Sequence, residues 1–133
     1  MTHISCGWDG EGLTIEAVGH SGYGEKGKDV VCAGVSTLIF TTYYYLRKLQ
    51  DVGYIGHLEK SEADGEVSIS ARCAEGGQKY MRTALDMALT GFEMLAENFP
   101  QYVTIIKKEK KEREQEQFGR KYGSCRRRAE GKI

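Results

Sequence analysis

The most informative absence in this sequence of 133 residues is that of a long apolar run. No stretch approaches the roughly 18 residues that a membrane-spanning helix needs. The N-terminus, MTHISCGWDG, also lacks the charged and apolar regions of a secretory signal peptide. We therefore expect a cytoplasmic protein without a membrane partner, and we expect its four cysteines to be reduced.

The spacing of the cysteines argues against two further classes of protein. None of them forms a Cys-x-x-Cys pair, which disfavours a structural zinc site and a thiol redox protein of the thioredoxin kind. A mixed metal set is a weak alternative, drawn from His3, Cys6, His20 and Cys32. We expect neither a metal nor a cofactor. The sequence also has no internal repeat of fixed period.

The composition is ordinary for a globular domain, but the charge is unevenly spread. Apolar residues make up 40% and charged residues 29% of the chain, and the formal net charge is zero. Eleven basic and five acidic residues from Lys107 onward give the tail a charge of +6, so the preceding part carries −6. We predict one folded domain over residues 1–106 and a net basic tail over 107–133, either helical or disordered.

The hydrophobic pattern predicts an α+β fold with the element order ββαββαβ. Period-two alternation predicts strands near 2–8, 12–18, 54–60, 66–72 and 102–106. Helical spacing predicts one helix from an N-cap at Asp29 to the break at Asp51-Val52-Gly53, and a second over about 78–98. The expected apolar stripes are Val31, Val35, Leu38, Thr42, Leu46 and Leu49, then Met81, Leu85, Ala88, Leu89, Phe92 and Leu95. This order indicates two helices packed on a small mixed or antiparallel sheet.

One segment, GHSGYGEKGKDVVCAGVS, combines residue types that suggest chemistry. His20 ends a strand, a glycine-rich loop follows, and Cys32 lies in the first turn of the next helix. A helix N-terminus and a nearby histidine both favour the thiolate form of a cysteine, which is the nucleophilic form. The structural alternative is a small core cysteine and a solvated histidine. Spacing alone leaves both interpretations open.

The combined motif resembles that of the ribosomal-processing cysteine protease family, Prp. The matching residues are Gly19-His20, Asp29-Val30-Val31-Cys32 and Ser36, in the same order and spacing. The resemblance extends from the N-terminal hairpin to about Ile106 and includes NFPQYVTI. The basic tail lies outside it.

This resemblance implies a homodimeric cysteine endopeptidase with a small α/β fold. Family members remove a short N-terminal extension, ending in a Phe-Phe-Ala-like segment, from the twenty-seventh protein of the large ribosomal subunit. Some act on phage capsid or scaffold proteins. By position, Cys32 would be the nucleophile and His20 the general base.

The supporting residues of the motif keep more than one interpretation. Asp29 either orients His20, as a third member of a triad, or caps the helix. Ser36, one helical turn after Cys32, either bonds near the thiolate or packs on the sheet. Gly19 belongs to the motif, and the remaining loop glycines, Gly22, Gly24 and Gly27, are expected to shape a loop that closes over substrate.

Other residues are assigned structural roles. Cys6 and Cys73 fall in strand patterns, Cys125 falls in the tail, and His3 and His57 are given no function. The run Tyr43-Tyr44-Tyr45 covers most of a helix circumference, so at least one ring should be exposed or at an interface. A dimer contact suits it better than a cofactor site.

The tail supports a competing, non-enzymatic function. Its basic run, Arg126-Arg127-Arg128, would attract RNA or an acidic ribosomal or phage partner. The structural interpretation is a solvated run with ion pairs such as Lys108–Glu112. A third interpretation is a self-cleavage segment at Gln117-Phe118-Gly119-Arg120-Lys121, a hydrophobic residue followed by basic ones.

Overall fold

The computed structural model describes residues 1–109, which form five strands and two helices in the predicted order. The strands are β1 (Thr2–Trp8), β2 (Gly12–Val18), β3 (Ile55–Ala63), β4 (Glu66–Cys73) and β5 (Val103–Glu109). The helices are α1 (Val30–Asp51) and α2 (Gln78–Asn98). The expectations for the tail beyond Glu109 lie outside the described residues.

The strands form one mixed sheet with the order β3-β4-β2-β1-β5. Its pairs are antiparallel except for β1 with β5, which run parallel. In this register Val18, at the end of β2, lies opposite Glu66, at the start of β4. The tight turn between β3 and β4 therefore lies beside the point where the chain leaves β2 for α1.

The core lies between one face of the sheet and the two helices. Alternate strand residues point into it, such as Ile4 of β1 and Ile15 of β2, as the period of a strand requires. Helix α1 contributes six buried side chains: Val31, Val35, Ile39, Thr42, Leu46 and Leu49. The predicted stripe is right except at one turn, where Ile39 is buried and Leu38 only partly so. Both residues are apolar, so the pattern alone did not choose between them.

Two strands are longer than their sequence patterns indicated. Strand β3 reaches Ala63, because the two-residue turn Asp64-Gly65 lets its polar second half pair with β4. Strand β5 continues to Glu109 and pairs with β1 throughout, so Lys107 and Lys108 belong to the sheet. The added residues are mostly polar, so hydrophobic alternation gave no signal for them. Hydrogen bonding to a neighbouring strand extends both elements.

Candidate active site

The backbone at the start of the β2–α1 loop is held from two sides. Gly19, at a φ of 92°, donates its N–H to the Gly65 carbonyl at 2.7 Å. Its own carbonyl accepts the Thr2 hydroxyl at 2.9 Å. The Met1 ammonium donates to the His20 carbonyl at 2.8 Å. These bonds fix the main chain of His20 between β1 and the β3–β4 turn.

The Asp29 carboxylate ties the loop to the beginning of α1. Its Oδ1 accepts the N–H groups of Val31 at 2.9 Å and Cys32 at 3.0 Å. Its Oδ2 accepts the Ser21 hydroxyl at 2.5 Å and the Gly24 N–H at 3.1 Å. The residue is buried. Both oxygens are therefore used to cap the helix and to hold the loop.

These hydrogen bonds also set the charge of Asp29. Desolvation by burial raises its pKa, but the bonds from the Ser21 hydroxyl and from three backbone amides outweigh that effect and lower the pKa to about 2. The group is a carboxylate at neutral pH. Within residues 1–109 no hydrogen bond or ion pair joins Asp29 to the His20 side chain, so the observed geometry is that of a helix cap.

The Cys32 thiol lies in the first turn of α1 and is half-buried. The Ser21 N–H donates to its Sγ at 3.3 Å. An amide aimed at sulfur and the positive end of a helix both stabilise negative charge on it. Because Ser21 follows His20 directly, this contact brings the sulfur to the backbone next to the histidine.

The His20 imidazole points at the β3–β4 turn. Its Nε2 lies 3.6 Å from Asp64 Oδ1, which also accepts the Lys26 ammonium at 3.0 Å. The side chain is 55% exposed. No hydrogen bond among the described residues joins the imidazole to the Cys32 sulfur. The fold thus brings both residues to the same loop, and their direct pairing stays a prediction.

An aromatic contact holds the outer part of the loop. The Tyr23 ring lies 5.2 Å from that of Phe99 and 5.3 Å from that of Tyr102, in tilted and stacked arrangements. Both partners belong to the segment between α2 and β5. Since ring pairs of this kind stabilise by about 0.5–1.5 kcal/mol beyond area burial, they fasten the loop to that segment without enclosing it.

The loop glycines serve different purposes. Gly22 and Gly27 have φ angles of 79° and 87° and open space around them, so they shape the backbone. Gly24 supplies an amide to Asp29 instead. Residues 22–28 are exposed. The loop is therefore anchored at a few points and solvated elsewhere.

An apolar groove begins one helical turn from the thiol and follows the outer face of α1. Its volume is about 600 Å³, and it is lined by Ser36, Thr37, Phe40, Thr41, Tyr44, Tyr45 and Lys48. Tyr44 is 53% exposed, as expected for the tyrosine run. The Lys60 ammonium of β3 lies over neighbouring aromatic rings of α1, with Nζ 4.9 Å from the centre of the Tyr43 ring and 5.5 Å from that of Phe40. Ser36 lies in the groove, and no hydrogen bond in the described part of the chain joins it to Cys32.

Comparison with known proteins identifies the family. Residues 1–104 match the family model of the cysteine protease Prp. The chain belongs to the Prp family. The family is one of cysteine proteases, so this membership supports a protease activity and confirms the family resemblance. No curated protein matches the chain.

Solved structures share the Prp fold with this chain. SMU.848 from Streptococcus mutans is 29% identical, with a TM-score of 0.61 over 83% of this chain and 96% of that one. The essential ribosomal processing protease Prp from S. aureus, solved with a covalently linked product peptide, is 19% identical, with a TM-score of 0.65 over 81% and 100%. The same S. aureus protease with a substrate peptide gives 18% identity and a TM-score of 0.61, again over 81% and 100%.

The other two described thiols, Cys6 and Cys73, lie in strands of the sheet. Burial raises the pKa of Cys6 to about 12, against an opposing effect of Lys107. Burial also raises the pKa of Cys73, whose Sγ donates to the Glu11 carbonyl at 2.9 Å. Neither lies at a helix N-terminus.

The described residues contain neither a group of metal ligands nor a membrane-spanning helix. Within residues 1–109, no three His, Cys, Asp or Glu side chains are grouped to bind a metal ion. The mixed set that the sequence suggested as a weak alternative is therefore not assembled there. Neither described helix has the length and apolarity of a membrane span.

Three residues of this Prp site were missed by the sequence analysis. Ser21 is buried and contacts both Cys32 and Asp29. A serine directly after the histidine was the available signal. Tyr23 and Asp64 gave no signal, because Tyr23 packs on Phe99 and Asp64 lies at the His20 ring. Both pairs are far apart in the chain, and only the folded domain brings them together.

Proposed function

We propose that this chain is a processing endopeptidase in which the Cys32 thiolate attacks the scissile carbonyl and His20 acts as general base. The observation that carries the proposal is the position of Cys32 Sγ at the start of α1, with the Ser21 N–H 3.3 Å away. That amide belongs to the residue after His20. Among the described cysteines, Cys32 alone combines partial exposure with a helix N-terminus.

The reaction divides into two proton-balanced steps. His20 takes the Cys32 thiol proton as the sulfur bonds to the carbonyl carbon, and the imidazolium then gives that proton to the departing amine. A water molecule next attacks the thioester and loses a proton to His20, which returns a proton to the departing thiolate. The carboxylic product leaves, and the enzyme is as it began.

The oxyanion would be stabilised by loop amides and not by the first amides of α1. The N–H groups of Val31 and Cys32, at the start of the helix, already donate to Asp29. The Gly22 N–H makes no hydrogen bond to the described part of the chain and follows the Ser21 amide that faces the sulfur. Loop closure over substrate would bring such an amide to the developing charge.

The proposed substrate is a protein with a hydrophobic Phe-Phe-Ala-like segment. In support, the S. aureus Prp structures are of a ribosomal processing protease with substrate and product peptides. The end of the apolar groove nearest Cys32, formed by Ser36, Thr37 and Phe40, is apolar enough to take an aromatic side chain of the substrate. We propose removal of the N-terminal extension of the twenty-seventh large-subunit ribosomal protein, with a phage capsid or scaffold protein as the second substrate to test.

The exposed aromatic face of α1 also suits a homodimer contact, as the family resemblance implies. Tyr44 and Tyr45 are both exposed on it. Light scattering with size-exclusion chromatography, on wild type and Tyr44→Lys, tests this. A dimer that dissociates in the variant supports the assignment, whereas an unchanged dimer places the contact elsewhere.

The decisive experiment is cleavage of a peptide carrying the Phe-Phe-Ala segment by wild type, Cys32→Ala and Cys73→Ser, read by mass spectrometry. Cys73 is the matched control because it is also a half-buried thiol. We expect cleavage by wild type and Cys73→Ser only. Cleavage by Cys32→Ala would refute the assignment of the nucleophile. The phage substrate is tested with a capsid-derived peptide in the same assay.

Binding of RNA or of an acidic partner through the basic tail is the alternative function, motivated by the charge of +6 from Lys107 onward. Binding would be salt-sensitive, would survive Cys32→Ala and would disappear when residues 110–133 are deleted. Peptide cleavage that persists after this deletion separates the two functions.

A further inference from the structure

The β3–β4 turn faces the His20 ring closely enough to act on it. Asp64 Oδ1 lies 3.6 Å from Nε2. Next to it, a Cβ on Gly65 would lie 3.2 Å from Nε2 and 3.5 Å from Cδ2, so the absence of a side chain there leaves room for the ring. The Gly65 carbonyl accepts the Gly19 N–H at 2.7 Å, which ties the turn to the residue before His20.

We propose that Asp64 is a positioning residue for His20, holding the imidazole through Nε2 and stabilising the imidazolium that forms when Cys32 loses its proton. This inference rests on the proposed function of His20 as general base. The residue that sequence would suggest for this role, Asp29, has both oxygens committed to the helix cap and the loop. Asp64 is the carboxylate that the fold places at the ring.

The contact also selects the nitrogen that does the chemistry. A carboxylate at Nε2 favours a proton on that nitrogen, because the N–H can donate to it. Nδ1 is then unprotonated and accepts the thiol proton. The resulting imidazolium has Nε2–H directed at Asp64 and Nδ1–H directed at the sulfur.

Other charges near the ring oppose or share this interaction. Lys26 Nζ lies 3.0 Å from the same Oδ1, and its charge disfavours a second cation at His20. The Met1 ammonium bonds the His20 carbonyl and adds a further positive charge. The Lys26 hydrogen bond and charge, followed by the charge of His20, lower the pKa of Asp64, so the group is a carboxylate at neutral pH. Lys26 and Asp64 thus act on the imidazolium in opposite directions.

The expected effect is modest, because the pair is exposed. Side chains of His20 and Asp64 are 55% and 75% exposed, and exposed ion pairs of this kind change an equilibrium by only about two- to fivefold. Salt should weaken the effect further, since the Debye length is about 8 Å at physiological ionic strength. The experiment therefore compares the direction in which each variant moves the pH midpoints as well as the size of the change.

The experiment measures two properties of wild type, Asp64→Asn, Asp64→Glu and Lys26→Met. The first is the pH profile of peptide cleavage, and the second is the NMR titration of the His20 ring. We expect Asp64→Asn to move the imidazole-controlled limb of the pH profile and the NMR midpoint of the ring to lower pH, because the carboxylate that stabilises the imidazolium is lost. It should lower kcat about two- to fivefold with KM unchanged. Asp64→Glu should restore most of this, and Lys26→Met should move both midpoints upward.

A second histidine of the same chain supplies the control. His57 Nε2 lies 3.2 Å from Glu59 Oε1, and both side chains are about as exposed as those of the His20 pair. Glu59→Gln should move the His57 midpoint and leave that of His20 and the cleavage profile unchanged. This separates a local effect at His20 from a general change in surface charge.

The outcomes distinguish this inference from the proposed function. If Asp64→Asn leaves the His20 midpoint and the cleavage profile unchanged, as Glu59→Gln does, the positioning role is wrong even though Cys32-dependent cleavage persists. If wild type cleaves no peptide, the proposed function fails, and the NMR midpoints alone decide whether Asp64 acts on His20. A fall in kcat without any change of pH profile would also overturn the inference, because it would indicate a merely structural turn.

Discussion

The two helices begin in very different ways. Both pack on the same sheet and differ by one residue in length, with 22 residues in α1 and 21 in α2. At the start of α1, Asp29 accepts four hydrogen bonds. At the start of α2, Gly77 has no side chain to cap with. Any Cβ there would collide with the Tyr54 carbonyl oxygen.

The difference shows where the fold uses a helix end for more than packing. The backbone at the start of α2 passes close to that of Tyr54, and Gly77 is needed because of this approach. The start of α1 follows a loop, and the buried Asp29 carboxylate ties the loop and the helix together. In the described part of the chain, only there does a thiol accept a hydrogen bond from an amide of another segment, that of Ser21.

The largest effect is expected when the start of α1 loses the charged cap that the start of α2 lacks. Asp29→Asn keeps the shape and loses the carboxylate, whose folded pKa of about 2 lies below the ordinary value of 3.8. At about 1.36 kcal/mol for each pKa unit, we expect the free energy of unfolding to fall by about 2 kcal/mol at pH 7. Urea denaturation of wild type and variant measures it.

The pH dependence has a definite sign. Because the pKa is lowered on folding, the stabilisation by Asp29 is complete above about pH 4 and is lost as the pH falls through about 2. The difference in free energy of unfolding between wild type and Asp29→Asn should therefore shrink as the pH falls from about 4 to about 2. Asp86→Asn on α2, which breaks an (i, i+4) pair with Arg82, is the control and should cost under about 0.5 kcal/mol, since Arg82 keeps its pair with Glu109. A gap that stayed at its full size down to pH 2 would contradict the assignment.

Placing a thiol at the matched position of α2 tests the chemistry of the two starts. Tyr80 lies three residues after the Gly77 cap, as Cys32 does after Asp29, and is 42% exposed. In a Tyr80→Cys variant, iodoacetamide at pH 7 should alkylate Cys32 at least about tenfold faster than the introduced thiol, which lacks the Ser21 amide and the histidine. Peptide mapping reads both rates in one sample. Equal rates would show that a helix N-terminus alone accounts for the reactivity.

Introducing a side-chain cap at the start of α2 should destabilise the protein. Serine is normally favoured at an N-cap, but Gly77→Ser would place its Cβ against the Tyr54 carbonyl, which is backbone and cannot swing aside. We expect a loss of about 1 kcal/mol or more in the free energy of unfolding. Thermal denaturation by circular dichroism is the measurement. A stabilised variant would show that the close approach is not needed.

The smallest expected change concerns the aromatic contact of the loop. Tyr23→Ala removes ring pairs with Phe99 and Tyr102 and should cost about 1 kcal/mol. Amide exchange should rise over residues 22–28, with the amides at the cap still protected by their bonds. Tyr80→Ala, which removes the ring pair with Tyr54 beside α2, is the control and should leave the loop unchanged. Unaltered exchange in Tyr23→Ala would mean that the ring does not hold the loop.

Most of the fold was predictable from sequence because its signals are local. The limits of α2 follow from its stripe and from Gly77 before it, and Asp29 marked the start of α1 correctly. The strand order was not predictable. The parallel pair of β1 with β5 joins Thr2 to Val103, from opposite ends of the domain, and no local pattern encodes it.

The candidate site divides along the same line. His20, Asp29 and Cys32 lie within one short segment, so motif and helix position pointed to them. The contact of Ser21 with the sulfur depends on the path of the loop, and that of Asp64 with the imidazole depends on the position of another hairpin. Predicting the Asp64 contact would have required the pairing of β4 with β2, which brings the β3–β4 turn to His20.

The uneven anchoring of the loop has an evolutionary consequence. The cap holds residues up to Gly24, while Glu25 to Lys28 close a separate turn through the Lys28 N–H and the Glu25 carbonyl at 2.9 Å. Insertions or deletions in that turn would leave the thiol and its amide neighbour where they are. The length of that turn can therefore change without rebuilding the nucleophile.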